Sequence, residues 1–265
     1  MAYASGIISS ESIAQRFEAL RAESRRALVC YVTAGHPSPA ASIELLQGLE
    51  AAGADVIELG VPFSDPVADG PVIQASSSAA LANGVTLESS LELLGEAGVA
   101  VPVVLFTYLN PLLAAGPDVL RRASEAGVAG ILVTDLPLGA DPEREAWLAA
   151  SDLDFIRLVA PTTPDDRLAG ICEHGSGFVY LISRMGVTGT RDEAPTDVGP
   201  MVTKLRAVTD LPVCAGFGIS TPAQARAVAR MADGVVVGSA IVKAAGQSTE
   251  SAINLVRSMR EAMDG

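Results

Sequence analysis

Metal-binding residues and lysine are scarce in this sequence. Its two histidines, His36 and His174, lie far apart along the chain, each without a second candidate ligand nearby, so no metal centre is expected. The three cysteines, Cys30, Cys172 and Cys214, form an odd set without a CxxC spacing. That argues against a disulfide framework or a zinc cluster and leaves them as small buried hydrophobes. Lysine occurs only at Lys204 and Lys243, both in helical patterns, whereas a Schiff-base aldolase needs one at a strand end. Basic clusters are absent as well, and a net charge of -13 repels nucleic acid and anionic membrane surfaces. Apolar runs such as 101–106 and 234–242 fall well short of the roughly 20 residues that span a bilayer. The N-terminus shows neither the basic start nor the apolar middle of a secretory signal, so a soluble, cytoplasmic protein is expected.

What the chain does have is apolar residues in quantity, 49% of 265, enough for one large core. One domain over residues 1–265 is expected, close to the roughly 250 residues of an eight-stranded α/β barrel. Eight β-branched runs bounded by Gly, Pro or Asp read as strands: 27–33, 54–59, 102–108, 128–134, 155–159, 178–182, 212–215 and 233–237. They are apolar on both faces, as parallel strands covered by helices must be. Helical patterns lie between them at 39–52, 87–97, 118–126, 143–150, 200–208 and 222–231. Gly53, Gly98 and Gly127 each follow an alanine where a helix end needs the left-handed conformation.

A closed barrel and an open doubly wound sheet share this periodicity. Gly216-Phe217-Gly218 after the seventh strand is half of a dinucleotide fingerprint, but Thr221 stands at the third glycine position and no acidic residue follows at a strand end. Glycines after both late strands, Gly216 and Gly218, then Gly238-Ser239, match the place where many barrels bind phosphate. The fold class read here is α/β, a (β/α)8 TIM barrel with an extra N-terminal helix and a short extra helix, 239–245, after strand 8. The N-terminus of that short helix aims free N–H groups at an anion without requiring a Lys or Arg.

In such a barrel, chemistry sits where strands end. Glu58 lies in the apolar string Val56-Ile57-Glu58-Leu59-Gly60, and burial there raises a carboxyl towards the range useful for proton transfer. It could equally be a structural carboxylate paired with a buried Arg or a helix start. The loop that follows, 61–71, holds Asp65 and Asp69 among three prolines, a stiff frame in which either aspartate could simply cap the next helix. A second long segment, 183–195, carries Arg184, Thr188 and the glycines Gly186 and Gly189 without a helical pattern, which suits a closing lid with Gly189 donating its N–H to a phosphate.

The strings Glu58-Leu-Gly-Val-Pro-Phe-Ser-Asp-Pro-Val-Ala-Asp-Gly-Pro71 and Tyr180-Leu-Ile-Ser-Arg-Met-Gly-Val-Thr-Gly189 resemble the signature segments of tryptophan synthase alpha subunits. The resemblance continues through 31–35, 135–137, 216–219 and 238–243, in order along nearly the whole chain. It implies cleavage of indole-3-glycerol phosphate to indole and glyceraldehyde 3-phosphate by a retro-aldol reaction, within tryptophan biosynthesis. It also implies Glu58 as general acid and base, Asp69 holding the indole N–H, and Thr188 bonding Asp69 when the lid closes. Gly189, Gly218, Gly238 and Ser239 match phosphate-binding positions, and Tyr31, Phe106, Tyr180 and Phe217 would contact or border the indole. Asp65, Asn110 and Pro137 match segments that touch a beta subunit in an α2β2 heterotetramer. By the same resemblance this chain carries no cofactor, since pyridoxal phosphate belongs to the beta subunit. Phe106 and Thr134 are bulkier than the residues of many relatives, which bears on pocket shape and not on reaction type. Two alternatives stand beside this reading: another phosphosugar-binding barrel lyase or isomerase, and a mainly regulatory partner of the beta subunit.

Overall fold

The computed structural model describes residues 11–182, 198–216 and 218–265. Nine parallel strand segments are present: β1 (Ala27–Thr33), β2 (Val56–Gly60), β3 (Val103–Thr107), β4 (Val128–Val133), β5 (Asp154–Phe155), β6 (Arg157–Val159), β7 (Val179–Ile182), β8 (Val213–Gly216) and β9 (Gly234–Val237). Their spatial order is β5-β4-β3-β2-β1-β9-β8-β7-β6. Since β5 and β6 are halves of one run interrupted at Ile156, the sheet returns on itself, and the nine segments make eight staves. Ile156 closes the ring near its base, its N–H donating to the Ile131 carbonyl at 2.9 Å. The expected single strand over 155–159 is thus split, with the first half laddered to β4 and the second to β7.

Alternation across the wall separates two cores. Outward residues such as Leu28, Cys30, Ile57, Leu105 and Val235 pack under the surrounding helices, while Val29, Val56, Val104, Leu132, Phe178, Cys214 and Val236 fill the barrel itself. Both faces being apolar, every residue of β1, β2, β8 and β9 is buried. The extra N-terminal helix, α1 (Ile13–Ala22), starts at a Ser12–Gln15 capping box. Ile13, Phe17 and Leu20 on its apolar face join the interior core. They plug the N-terminal end of the barrel and leave the strand C-termini for function. The glycines Gly53, Gly98 and Gly127 have φ of 98°, 59° and 96°, as helix ends of this kind require.

Helices follow the strands in turn: α2 (Pro39–Ala51), α3 (Pro71–Ala82), α4 (Leu87–Ala97), α5 (Leu109–Ala115), α6 (Val119–Glu125), α7 (Pro142–Ala149), α8 (Asp165–Glu173), α9 (Val198–Arg206) and α10 (Pro222–Ala229). The short α11 (Ser239–Ala245) follows β9, and α12 (Thr249–Asp264) ends the chain. Arg260 of α12 reaches Asp55 at the start of β2 with an N–O distance of 2.9 Å, while Asp55 also accepts the Leu28 N–H. This buried pair fastens the last helix to the base of the barrel. Lys204 and Lys243 lie in α9 and α11, Cys30, Cys172 and Cys214 are buried free thiols, and no described helix is long and apolar enough to cross a membrane.

Candidate active site at the strand C-termini

Strand parity points Glu58 into the barrel, because Val56 on the same strand belongs to the interior core while Ile57 and Leu59 belong to the outer one. Glu58 stands in register with Tyr31 of β1 and Val104 of β3 and is 0% exposed. Neither carboxylate oxygen has a hydrogen-bond partner among the described residues. The buried arginines that could have paired with it are committed elsewhere, Arg157 to Glu145 and Arg260 to Asp55. Loss of hydration with nothing to offset it favours the neutral acid, and burial pushes the Glu58 carboxyl up to about 8. Of the two roles left open by the sequence, a structural ion pair is therefore not what the described residues provide.

Asp69 is half-buried in the loop between β2 and α3. Gly70 is the N-cap of α3, with Pro71 in the first turn and no side-chain capping bond, so capping does not occupy the Asp69 carboxylate. Instead the Tyr108 hydroxyl donates to Asp69 Oδ2 at 3.0 Å and accepts the Ala68 N–H at 3.0 Å. Burial raises the Asp69 pKa and the Tyr108 hydrogen bond draws it part of the way back. Beside this carboxylate the Tyr108 phenol is itself pushed up to about 12, first by burial. Other side chains pin the loop backbone. Ser77 bonds both the N–H and the carbonyl of Phe63, and Gln74 Nε2 donates to the Asp69 carbonyl at 2.9 Å. Tyr108 was not singled out from the sequence, because nothing in Thr107-Tyr108-Leu109 marks a phenol that will reach across to residue 69.

Aromatic residues wall the mouth above Glu58. Tyr31 and Phe106 meet edge to face with centroids 5.1 Å apart, and both pack with Ile73 and Val242. Gly60 makes room for a phenol, and Gly216 for Val236 first and the Tyr180 phenol beyond it. A Cβ on Gly60 would overlap the Tyr31 hydroxyl, and one on Gly216 would lie 3.1 Å from the Tyr180 hydroxyl. Burial raises both phenols further above the ordinary tyrosine value, with Glu58 adding to the shift in each case. They are neutral and able to donate. From Tyr31 a run of hydroxyls leads outward, weakly to Thr33 at 3.5 Å and then to Ser76 at 2.7 Å.

On the opposite rim, Gly218 has φ of 75° and is exposed, and Gly238 is the N-cap of α11 with Ser239 opening that helix. A Cβ at Gly238 would sit 3.4 Å from the Tyr31 Cβ, so this rim adjoins the aromatic wall. Asp65, Asn110 and Pro137 are exposed on the segments after β2, β3 and β4, and Val67 beside Asp65 is 84% exposed. Gly189, Arg184, Thr188 and Phe217 lie outside the described residues.

A (β/α)8 barrel with a dry carboxyl at one strand end that has no partner among the described residues, a second carboxylate on the following loop and glycines after the last two strands belongs among the barrel enzymes that do acid–base chemistry on small substrates. The model of the family described as tryptophan synthase alpha chain matches residues 17–264. A tryptophan synthase alpha chain from Desulfatibacillum aliphaticivorans is 46% identical over 242 residues, covering 90% of this chain and 91% of that one. Among solved structures, Mycobacterium tuberculosis tryptophan synthase superposes with a TM-score of 0.87 at 36% identity, over 96% of this chain and 99% of that one. The tryptophan synthase subunit alpha from Legionella pneumophila gives 0.85 at 33% identity, over 95% and 98%. The chain belongs to the tryptophan synthase alpha chain family.

Proposed function

We propose that this chain, acting as one domain, cleaves indole-3-glycerol phosphate to indole and glyceraldehyde 3-phosphate, with Glu58 and Asp69 as its working carboxyls. The observation that carries the reading is the state of Glu58, fully buried with no hydrogen-bond partner among the described residues and a pKa of about 8. At neutral pH such a group holds a proton at rest and can both give and take one.

The reaction needs that order. Breaking the bond from indole C3 to the glycerol carbon leaves an electron pair on the ring, so C3 must first gain a proton, which Glu58 supplies. The resulting indolenine carries positive charge at N1, and Asp69, held by Tyr108, stabilises it in a partly dry site. Glu58, now ionised, takes the proton from the hydroxyl on the adjacent carbon. That carbon becomes the aldehyde, the C–C bond breaks, and its electrons return to the ring as N1 loses its charge. Protons balance across the two steps, so no cofactor is required in this chain.

Phosphate would bind at Gly218, Gly238 and Ser239, with Gly189 as a further donor, and Arg184 and Thr188 would belong to the closing segment. Tyr31, Phe106, Tyr180 and Phe217 would enclose the ring. A beta subunit carrying pyridoxal phosphate would dock on the strand-end face at Asp65, Asn110 and Pro137 and receive indole. The test is indole release by the purified chain, alone and with a tryptophan synthase beta subunit, with Glu58→Gln as control. Slow release, faster with the partner and absent in the variant, is expected. Unchanged turnover in Glu58→Gln would remove Glu58 from the mechanism.

A further inference from the structure

In the barrel interior a poorly used donor stands beside a carboxyl that has none. The Ser76 hydroxyl donates to the Ile73 carbonyl at 2.8 Å, so the 2.7 Å contact between Ser76 and Thr33 must use the Thr33 hydrogen. Thr33 can then only accept from Tyr31, across 3.5 Å, which is longer than the ordinary O–H···O range of roughly 2.5–3.0 Å. The run therefore donates from Tyr31 to Thr33 to Ser76 to the Ile73 carbonyl, and its first link is its weakest. Tyr31 is buried and in register with Glu58 on the neighbouring strand, whose carboxylate oxygens have no partner among the described residues.

Strand geometry brings the two groups within reach of each other. Glu58 and Gly60 share the inner face of β2, where successive inward positions are about 6.6 Å apart. The Tyr31 hydroxyl fills the space that a side chain at position 60 would take. It thus sits one inward position above Glu58, a gap that an extended glutamate side chain largely spans. Phe106 holds the Tyr31 ring there, edge to face at 5.1 Å. Tyr180 lies farther round the ring, with β1, β9 and β8 between its strand and β2.

The proposed cleavage calls for a donor at that point. Once Glu58 has protonated the substrate it is an anion out of contact with water, and such a charge is costly until something donates to it. The described groups whose ionisation feels Glu58 are Tyr31 and Cys30 on β1, Tyr180 on β7 and Cys214 on β8, while Asp69 on the loop above acts on the same two phenols. None of them is a cation, and β3, β4 and β9 turn Val104, Leu132 and Val236 to the interior. Burial holds the Tyr31 phenol well above the ordinary tyrosine value, so it donates without giving up its proton. Resting on the reading of Glu58 as the working acid, we infer that the Tyr31 hydroxyl is a positioning donor, which turns from Thr33 to the Glu58 carboxylate formed in turnover and holds it for the second proton transfer.

A hydrogen bond to a charged group shifts the equilibrium it favours by about tenfold to a hundredfold. Tyr31→Phe keeps the ring and removes only the donor. It should lower kcat for indole-3-glycerol phosphate by about tenfold or more, with KM within about threefold. It should also move the alkaline limb of kcat/KM up by about one pH unit, because ionised Glu58 has lost its partner. Thr33→Val removes the competing acceptor and should move the limb by a smaller step in the opposite direction. An unmoved limb in Tyr31→Phe, as a purely structural hydroxyl predicts, would overturn the inference, and so would limbs displaced the same way in both variants. Urea unfolding gives a readout that needs no turnover. A carboxyl with a raised native pKa loses stability as pH rises towards that value, so raising it further should cost Tyr31→Phe up to about tenfold more in the folding equilibrium constant between pH 7 and 9 than the unmodified chain. In a Glu58→Gln background the same substitution should show no such pH dependence, and an equal dependence in both backgrounds would overturn the hydrogen bond itself. Failure of the unmodified chain to cleave the substrate would instead remove the functional reading, and with it the part this donor plays in turnover.

Discussion

Replacing Glu58 by Gln should change how stability depends on pH, and the size of the change follows from the burial of one proton. An ordinary glutamate has a pKa of 4.5, and in the fold Glu58 is pushed up to about 8. Between these values the unfolded chain has lost the proton that the native state keeps, so the native state binds more protons and its stability falls as pH rises. The penalty is absent below pH 4.5, grows by about 1.4 kcal/mol per pH unit, reaches on the order of 3 kcal/mol at pH 7 and levels off above pH 8. A glutamine side chain has no such proton to lose, so Glu58→Gln escapes this slope at nearly constant shape. Urea unfolding of both proteins from pH 4 to 9 measures it, because all other titrations are common and cancel in the difference. Relative to the unmodified protein, the variant should gain about 3 kcal/mol between pH 4.5 and 7 and little beyond 8. Parallel curves would refute the reasoning, and a difference of opposite sign would mean that a cation faces Glu58 in the folded chain. The same proton should appear in kinetics as a fall in kcat/KM on the alkaline side of about pH 8, since cleavage begins with the protonated acid.

Other perturbations test the surroundings of that carboxyl. Tyr108→Phe removes the donor that draws the Asp69 pKa down, so the acidic limb of kcat/KM should move to higher pH, with about 0.5–1.5 kcal/mol of stability lost with the hydroxyl's hydrogen bonds; an unmoved limb in a pH–rate profile would remove Tyr108 from a positioning role. Gly60→Ala drives a methyl into the Tyr31 phenol and should cost about 1–3 kcal/mol in thermal or urea unfolding, part of which Tyr31→Phe restores by deleting the hydroxyl; equal stability of the single and double variants would argue against that contact. Gly218→Asp places a carboxylate, and a side chain at φ of 75°, on the proposed phosphate rim, so KM should rise severalfold or more. An unchanged KM would place the phosphate elsewhere.

The fold was legible because its signals are local and repeated. Strand 27–33 and helices 87–97 and 239–245 are found at the bounds their sequence suggests, since β-branched runs, Ser and Thr caps and terminal glycines act within a few residues of themselves. The single run expected at 155–159 did not remain whole. Arg157 points outward to Glu145 and the His174 carbonyl, and the stave exchanges one neighbour for the other around Ile156. That exchange depends on partners 12 and 17 residues away, and no window of sequence displays it.

The site divides in the same way. A carboxylate inside Val56-Ile57-Glu58-Leu59-Gly60 is visible to anyone reading the strand, but whether an arginine meets it is decided by Arg157 and Arg260, which the chain brings to other carboxylates. Asp69 likewise has a capping role open to it in sequence, and it is the choice of Gly70 as N-cap, with Tyr108 arriving from β3, that leaves its carboxylate turned to the mouth. Both carboxyls are thus defined less by their own neighbours than by the cations and caps that are used elsewhere. A barrel suits this, because it draws one residue from each of several strand ends into a common interior while the pairing partners remain on the outer face with the helices. Glu145–Arg157 and Asp55–Arg260 can then neutralise each other at the periphery and at the base. Among the described residues, Glu58 is left beside Tyr31 and Tyr180 in the dry interior as the carboxyl with a raised pKa and no hydrogen-bond partner.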